Sequence, residues 1–316
     1  MTDKKPFTFK YEKSDSLFPT PKTPVKRVPF KDIFSPPPSL EVPPTFHRLI
    51  SKGDFFEVYL NKNKNEEDNA EYTAVKKSIF TFKNDLEKES ILREVHFLKL
   101  INSDFVIKFI NNWILNQYVY IEVEYCSYGT LREFMNYIYF TLKSKFSKEI
   151  KNKIIKEIGL GLEAIHKLKI VHLDLKPENI FLKSNNNNEC GGEDNPSCYE
   201  EDNKEYGGDP SSFTIKIGDF NISRFENEEI GMDGDKRYMA PEVLNGICTR
   251  KSDIFSFGLI YLEILNEIIL PTGGEKWVDL RKGNLKGMVL EGPIKKMLNK
   301  DYKKRIDCET MLKEIL

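Results

Sequence analysis

An aspartate, a lysine two positions on and an asparagine five positions on stand in the stretch VHLDLKPENIF, Val171 to Phe181. Asp174 can accept the proton of a hydroxyl group, Lys176 can reach the terminal phosphate of a nucleotide, and Asn179 can bind a second magnesium ion. Three more residues suit the same chemistry. Lys76, in Ala74-Val75-Lys76, can hold α- and β-phosphates, and Glu94 can pair with that lysine and fix it. Asp219, closing the run IKIGDFN, can chelate magnesium with Phe220 packed behind it. Phosphoryl transfer asks a protein for positioning and charge stabilisation more than for covalent work. Each residue alone is compatible with an ordinary solvated charge. All of them, in this order and spacing, argue for transfer of a phosphoryl group.

These groups need elements to position them. FHRLI, EVYLNK, EYTAVKKS and QYVYIEVEYC are short β-branched and aromatic runs between polar turns, which predicts antiparallel strands. Between them, NDLEKESILREVHFLKLI spaces Leu86, Ile91, Leu92, Val95, Leu98 and Leu100–Ile101 roughly as a helix does. Five strands and one helix are expected in this first part. After Gly129 the pattern turns helical: TLREFMNYIYF and SKEIKNKIIKEIGLGLEAIHKLKI carry i, i+3, i+4 apolar stripes. IFSFGLIYLEILNEIIL, Ile254 to Leu270, reads as a buried core helix; Glu263, Asn266, Glu267 and its short length argue against a membrane span. The class is α+β, strand-rich first and mostly helical after.

Two segments break the pattern. Residues 1–44 are rich in proline, lysine and hydroxyl residues and read as a disordered or extended regulatory tail, with Thr20-Pro21, Thr23-Pro24 and Ser35-Pro36 as candidate proline-directed phosphorylation sites. Residues 183–212 are rich in asparagine, glycine and acid and read as a mobile polar insertion, since they have little apolar surface to bury.

The bulk numbers exclude several classes. With 316 residues, 40% apolar and 31% charged, the chain suits a soluble globular protein with a real core. A formal charge of −1 gives no overall attraction to nucleic acid or to an anionic membrane. The five cysteines are scattered and lack CxxC pairs, which argues against a disulfide framework or a zinc site and for reduced thiols inside a cell. MTDKKPFTFK has no apolar core of a secretory signal.

With these residues in place, the chain resembles a eukaryotic protein kinase over residues 45–316. MAPEVL, Met239 to Leu244, resembles the end of an activation segment. KSDIFSFG resembles the helix whose buried aspartate, Asp253, holds the catalytic loop, and Arg305 in MLNKDYKKRI corresponds to the arginine that pairs with Glu242. The resemblance implies a bilobal kinase fold, with an N-lobe over 45–126 and a C-lobe over 127–316. It implies ATP and magnesium as cofactors, Asp174, Lys76, Glu94 and Lys176 as catalytic residues, and Asn179 and Asp219 as metal ligands. ATP contacts carry over to Ile50, Gly53, Val58, Ala74, Lys76, Glu124 and Cys126, the last two in the hinge-like EYC.

The departures are specific. The glycine-rich pair G-x-G-x-x-G reads Ser51, Gly53, Phe56, which reshapes the lid over the phosphates. DFG has become Asp219-Phe220-Asn221, where asparagine tolerates a positive φ. Leu173 stands where many kinases carry an arginine that receives an activation-segment phosphate. No hydroxyl residue lies between Ser223 and Tyr238, so the segment is expected to be ordered without phosphorylation, through its acids Glu226, Glu228 and Glu229.

MDGDKRYMAPEVL resembles the E-G-D-x-R-Y signature of the Wee-type mitosis-inhibitory kinases. HLDLKPENIF, the insertion and LPTGGEKWVDLRKGNL match that group as well. This implies a monomeric nuclear or cytoplasmic enzyme, with the nucleus favoured. Its partner is a cyclin-dependent kinase, whose glycine-rich-loop tyrosine it phosphorylates to delay mitosis, and the Gly234-Asp235 step shapes the acceptor platform. Lys176 in LDLKPEN is the serine/threonine form of the loop. Two alternatives stay open: a serine/threonine kinase related to the stress-response initiation-factor kinases, and a pseudokinase scaffold, which the degraded glycine loop and Asn221 motivate.

Overall fold

Side chains that alternate along extended chain build the first lobe. The computed structural model describes residues 46–53, 56–64, 70–79, 85–185, 212–230 and 234–316. Strands β1 (Arg48–Lys52), β2 (Phe56–Lys64), β3 (Ala70–Ser78), β4 (Phe109–Leu115) and β5 (Tyr118–Glu124) form one antiparallel sheet in the order β1-β2-β3-β5-β4. Lys76 pairs with Val58 and Ile121, and Ala74 with Leu60 and Val123, so these side chains share one face. Val75 lies on the other face, in a small cluster with Trp113 and Tyr120, whose rings stack at 5.2 Å. Four of these strands match the four apolar runs. The fifth is β4, whose FINNWIL carries two asparagines and a bulge between Phe109 and Asn111 and so hides its alternation.

Helix α1 (Asp85–Leu100) brings Val95, Phe97 and Leu98 into the main core. Below the sheet, the capping box of Thr130 with Glu133 starts α2 (Leu131–Asn136). A π-turn then takes over at Tyr137–Thr141, so the stripe in TLREFMNYIYF is not one continuous α-helix. Ser147 caps α3 (Lys148–Lys167). At Gly161 a Cβ would come 2.7 Å from the Phe105 carbonyl, so only glycine lets α3 lie this close to that loop. The core helix is α4 (Arg250–Asn266); it starts earlier than its apolar run and stops at Glu267, which takes a left-handed φ of 55°. Helices α5 (Glu275–Lys282), α6 (Ile294–Met297) and α7 (Cys308–Ile315) complete the lobe.

Three short pairings frame the site between the lobes. Strand β6 (Ile170–Val171) pairs with β9 (Arg224–Phe225), and β7 (Ile180–Ser184) pairs with β8 (Phe213–Ile217) as a hairpin. The polar insertion leaves and re-enters at the open end of that hairpin, where the Asn185 N–H donates to the Ser212 carbonyl at 2.9 Å. Its residues 186–211, and the tail expected over 1–44, lie outside the described residues. No helix among the described residues is long and apolar enough to cross a membrane.

Candidate active site

Lys76 is aimed by the register of β3 at the space between the lobes. Its ammonium donates to Glu94 Oε1 at 2.6 Å and to Asp219 Oδ1 at 3.1 Å. Burial works against the lysine's charge, but the carboxylates of Asp219 and Glu94 outweigh it and raise its pKa. Burial likewise opposes charge on both acids. Lys76 still holds the Asp219 pKa below its usual range, while that of Glu94 is raised, as expected when two carboxylates share one ammonium. The sequence-expected trio is thus brought together from β3, α1 and the end of β8.

Asp174 is held from three sides. Its Oδ2 accepts from Lys176 Nζ at 2.7 Å and from Asn179 Nδ2 at 2.9 Å, and its Oδ1 accepts from the Asp235 N–H at 3.0 Å. Buried Asp253 supports this loop: its carboxylate accepts from the His172 and Leu173 N–H groups at 2.8 and 2.9 Å and bonds His166 at 2.9 Å. His172 bonds the Gly218 carbonyl through Nε2 and accepts the Asp174 N–H at Nδ1, so its Nε2 carries the proton. Phe220, fully buried, packs on the His172 ring at 4.9 Å, behind Asp219.

Leu173 sits in the core with a φ of +67° and its N–H on Asp253. An arginine buried there would need an acid or a phosphate to meet it. Two of the three segment acids carry contacts instead. Glu226 accepts from Arg250 Nε at 2.9 Å and from Thr249 at 3.2 Å, and Glu228 faces Arg93 of α1 at 3.5 Å. Glu229 is exposed and adds no such contact among the described residues. The positive φ of the DFN turn falls on Asp219, at 65°, and not on Asn221. Asn221 instead donates its amide to Asp219 Oδ1 at 2.5 Å, which a glycine could not do.

The expected nucleotide-contacting residues do not all share that face. Val58 and Ala74 flank Lys76, and the Gly53 N–H donates to the Phe56 carbonyl at 2.9 Å. Ile50 lies at a bulge of β1 and is 41% exposed. Cys126 is buried, which raises its thiol pKa. The Glu124 carboxylate is turned away, bound by Lys183 at 2.7 Å, by Lys216 at 2.9 Å and by the Lys108 N–H at 2.7 Å. A nucleotide contact by Glu124 therefore has to come from its main chain. Phe56 is buried, with its ring centre 4.9 Å from the Lys76 ammonium.

A buried network was not legible as such in the sequence. Arg132 of α2 bonds Glu263 at 3.0 Å, Glu178 at 3.2 Å and the Tyr238 hydroxyl; Tyr238 donates to Glu263 at 2.8 Å. Arg237 joins Glu178 at 3.3 Å to Asp235 at 2.7 Å, and so reaches Asp174 through the Asp235 N–H. Burial raises the pKa of Glu263 although Arg132 opposes it. The signal was Glu263 inside the apolar stretch that follows Asp253 in this helix, a buried acid that demands a partner.

No group of three or more histidine, cysteine or acidic residues placed to hold a metal ion occurs among the described residues. Magnesium does not require one, since it takes one or two protein oxygens and completes its shell with phosphates and water. Asp219 offers a carboxylate, and Asn179, its Nδ2 committed to Asp174, leaves its amide oxygen for a cation. This hard-oxygen pair fits magnesium.

The protein kinase domain family matches residues 45–315. Among curated proteins the chain is similar to the mitosis inhibitor protein kinase SWE1 of Candida albicans, 33% identical over 69% of this chain and 18% of that one. It is similar to the mitosis inhibitor protein kinase wee1 of Schizosaccharomyces pombe, 32% identical over 75% of this chain and 24% of that one. It is also similar to Wee1-like protein kinase 1-B of Xenopus laevis, 29% identical over 76% of this chain and 39% of that one. The matched region thus spans well under half of each relative's length. With a sheet-bearing lobe above a helical one and a family match over nearly all of its described residues, this chain belongs to the protein kinase family.

Proposed function

We propose that this chain is an active kinase of the Wee type. It transfers the γ-phosphoryl group of ATP to a tyrosine in the glycine-rich loop of a cyclin-dependent kinase and so restrains entry into mitosis. The observation that carries the catalytic part is the double grip of Lys76 on Glu94 and Asp219, facing an Asp174 held by Lys176, Asn179 and the Asp235 N–H. Lys76 orients the α- and β-phosphates, and Asp219 and Asn179 hold magnesium, which neutralises the phosphate charge when bound. Asp174 takes the proton of the acceptor hydroxyl, and Lys176 steadies the oxygens around the transferred group. The acceptor choice rests on MDGDKRYMAPEVL and on the mitosis-inhibitor names of the relatives. The enzyme acts as a monomer in the nucleus or cytoplasm.

Lys176, 2.7 Å from Asp174, favours a second reading, a serine/threonine kinase of the stress-response initiation-factor type. One experiment separates these readings and the scaffold. The chain is incubated with a cyclin-bound cyclin-dependent kinase, ATP and magnesium, and the modified residue is identified. Phosphotyrosine in the glycine-rich loop is expected, reduced about a thousandfold by Asp174→Asn. Phosphoserine or phosphothreonine would support the second reading, and no magnesium-dependent ATP turnover would leave a scaffold.

A further inference from the structure

Helix α5 carries a buried arginine with an unusual set of partners. Arg281 donates through Nη2 to the carbonyls of Lys236, of Arg237 at 3.1 Å and of Met239 at 3.0 Å. Its guanidinium lies over the Trp277 ring, 3.6 Å from the centre, and the Trp277 indole N–H donates to the Lys236 carbonyl at 2.9 Å. Trp277 and Arg281 are four positions apart and therefore share one helix face. No carboxylate bonds this arginine among the described residues, and burial pushes its pKa down to about 10. Burying a cation without a bonded carboxylate costs the fold, although the Asp235 charge acts on it favourably, and α5 itself gains only one of the bonds, from Nη1 to the Trp277 carbonyl at 3.2 Å.

The gripped carbonyls follow directly after Asp235, the residue whose N–H sits on Asp174. Within the same five residues Arg237 binds Asp235, and side chains of the stretch are held from outside it, Arg237 by Glu178 and Tyr238 by Arg132 and Glu263. Gly234 enters the stretch with a φ of +112°, and a Cβ there would press on the Leu173 carbonyl at 3.3 Å. A path of direct bonds thus runs from α5 through 235–239 to the carboxylate of Asp174.

We propose that Trp277 and Arg281 form a clasp that sets the acceptor platform, residues 235–239, and thereby positions the hydroxyl of a protein acceptor against Asp174. They are positioning residues. This rests on the reading that the chain phosphorylates a protein hydroxyl. A lysine at 281 keeps the charge but cannot stack flat on the indole and serve three carbonyls at once.

The test uses the full chain as wild type, Arg281→Lys and Trp277→Phe, with a cyclin-bound cyclin-dependent kinase as acceptor. Arg281→Lys is expected to lower kcat/KM for the acceptor about tenfold or more, with KM for ATP within about twofold of wild type. Trp277→Phe keeps the ring, loses one bond, and is expected to cost about threefold by the same measure. Unchanged acceptor kinetics in a folded Arg281→Lys protein would overturn the clasp. So would equal losses toward ATP and acceptor that track a fall in Tm, since these mark general destabilisation. Amide hydrogen exchange over 235–239 gives a readout independent of activity. Faster exchange at Asp235 in Arg281→Lys is expected, and exchange equal to wild type would refute the clasp. If wild type modifies no protein acceptor, the proposed function fails by itself and the exchange result still decides the clasp.

Discussion

Phe56 stands where the glycine-rich pattern calls for its third glycine, and its ring covers the ammonium that would meet the phosphates. Phosphates that reach this ammonium compete with the ring, and a cation–π contact of about 0.5–2 kcal/mol favours the ring. Phe56→Gly is therefore expected to lower KM for ATP about three- to tenfold in steady-state kinetics. A raised KM would show that the ring supports the nucleotide instead. The shared ammonium also predicts a pH profile. Glu94 has a raised pKa, so as pH falls it takes up a proton before an ordinary glutamate does, and the Lys76 grip weakens first on that side. Lys76 has a raised pKa and stays charged through the alkaline range in which an ordinary lysine titrates. The acid limb of kcat/KM for ATP should thus lie above the usual glutamate range, and Glu94→Gln should remove that limb while lowering the plateau. Asn221 shows how one position can depart from the family pattern without losing the turn: Asp219 takes the left-handed backbone, and the asparagine amide steadies its carboxylate.

At the scale of elements, the activation segment is tied down by fixed charge. Glu226 anchors it to the start of α4 and Glu228 links it to α1, next to the glutamate that meets Lys76. Leu173 places an apolar side chain, not a cation, where an arginine would wait for a phosphate. Protein made in bacteria, carrying no phosphate on the segment, is expected to be active, and phosphatase treatment should leave its rate unchanged. Glu228→Gln should raise KM for ATP by about threefold, in keeping with a partly exposed pair worth about 0.2–1 kcal/mol. The same scale explains what periodicity missed. Strand β4 interrupts its alternation with Asn111 and Asn112, yet pairing with β5 makes it a strand. The stripe after Thr130 continues past Asn136 while the backbone changes from α to π, because a small change of pitch leaves the apolar face nearly intact.

At the scale of the whole molecule, Arg305 and Glu242 lock the end of the activation segment to the C-terminal part of the chain. The fully buried guanidinium meets the carboxylate through two bonds, at 2.5 and 2.9 Å, and Ser252 adds a third to the same acid at 2.9 Å. Arg305→Met would leave that carboxylate buried without its cation, a loss of about 3–5 kcal/mol. A fall in Tm of roughly 10 °C is expected by differential scanning calorimetry. Sequence by itself supplied the candidate residues and their order along the chain: Lys76, Glu94, Asp174, Lys176, Asn179 and Asp219 are legible only as a set, since each alone fits an ordinary solvated charge and the order and spacing single them out. It also determined the class, since periods of two and of 3.6 residues separate strands from helices. Only the tertiary structure decided that Glu263 belongs to Arg132 and Tyr238, that the Glu124 carboxylate faces Lys183 and Lys216, and that Arg281 holds residues 236, 237 and 239. Those pairings join residues dozens to more than a hundred positions apart. No local pattern records which buried charges will meet; that follows from how the helices and the segment pack, and from the cost of leaving any of those charges alone.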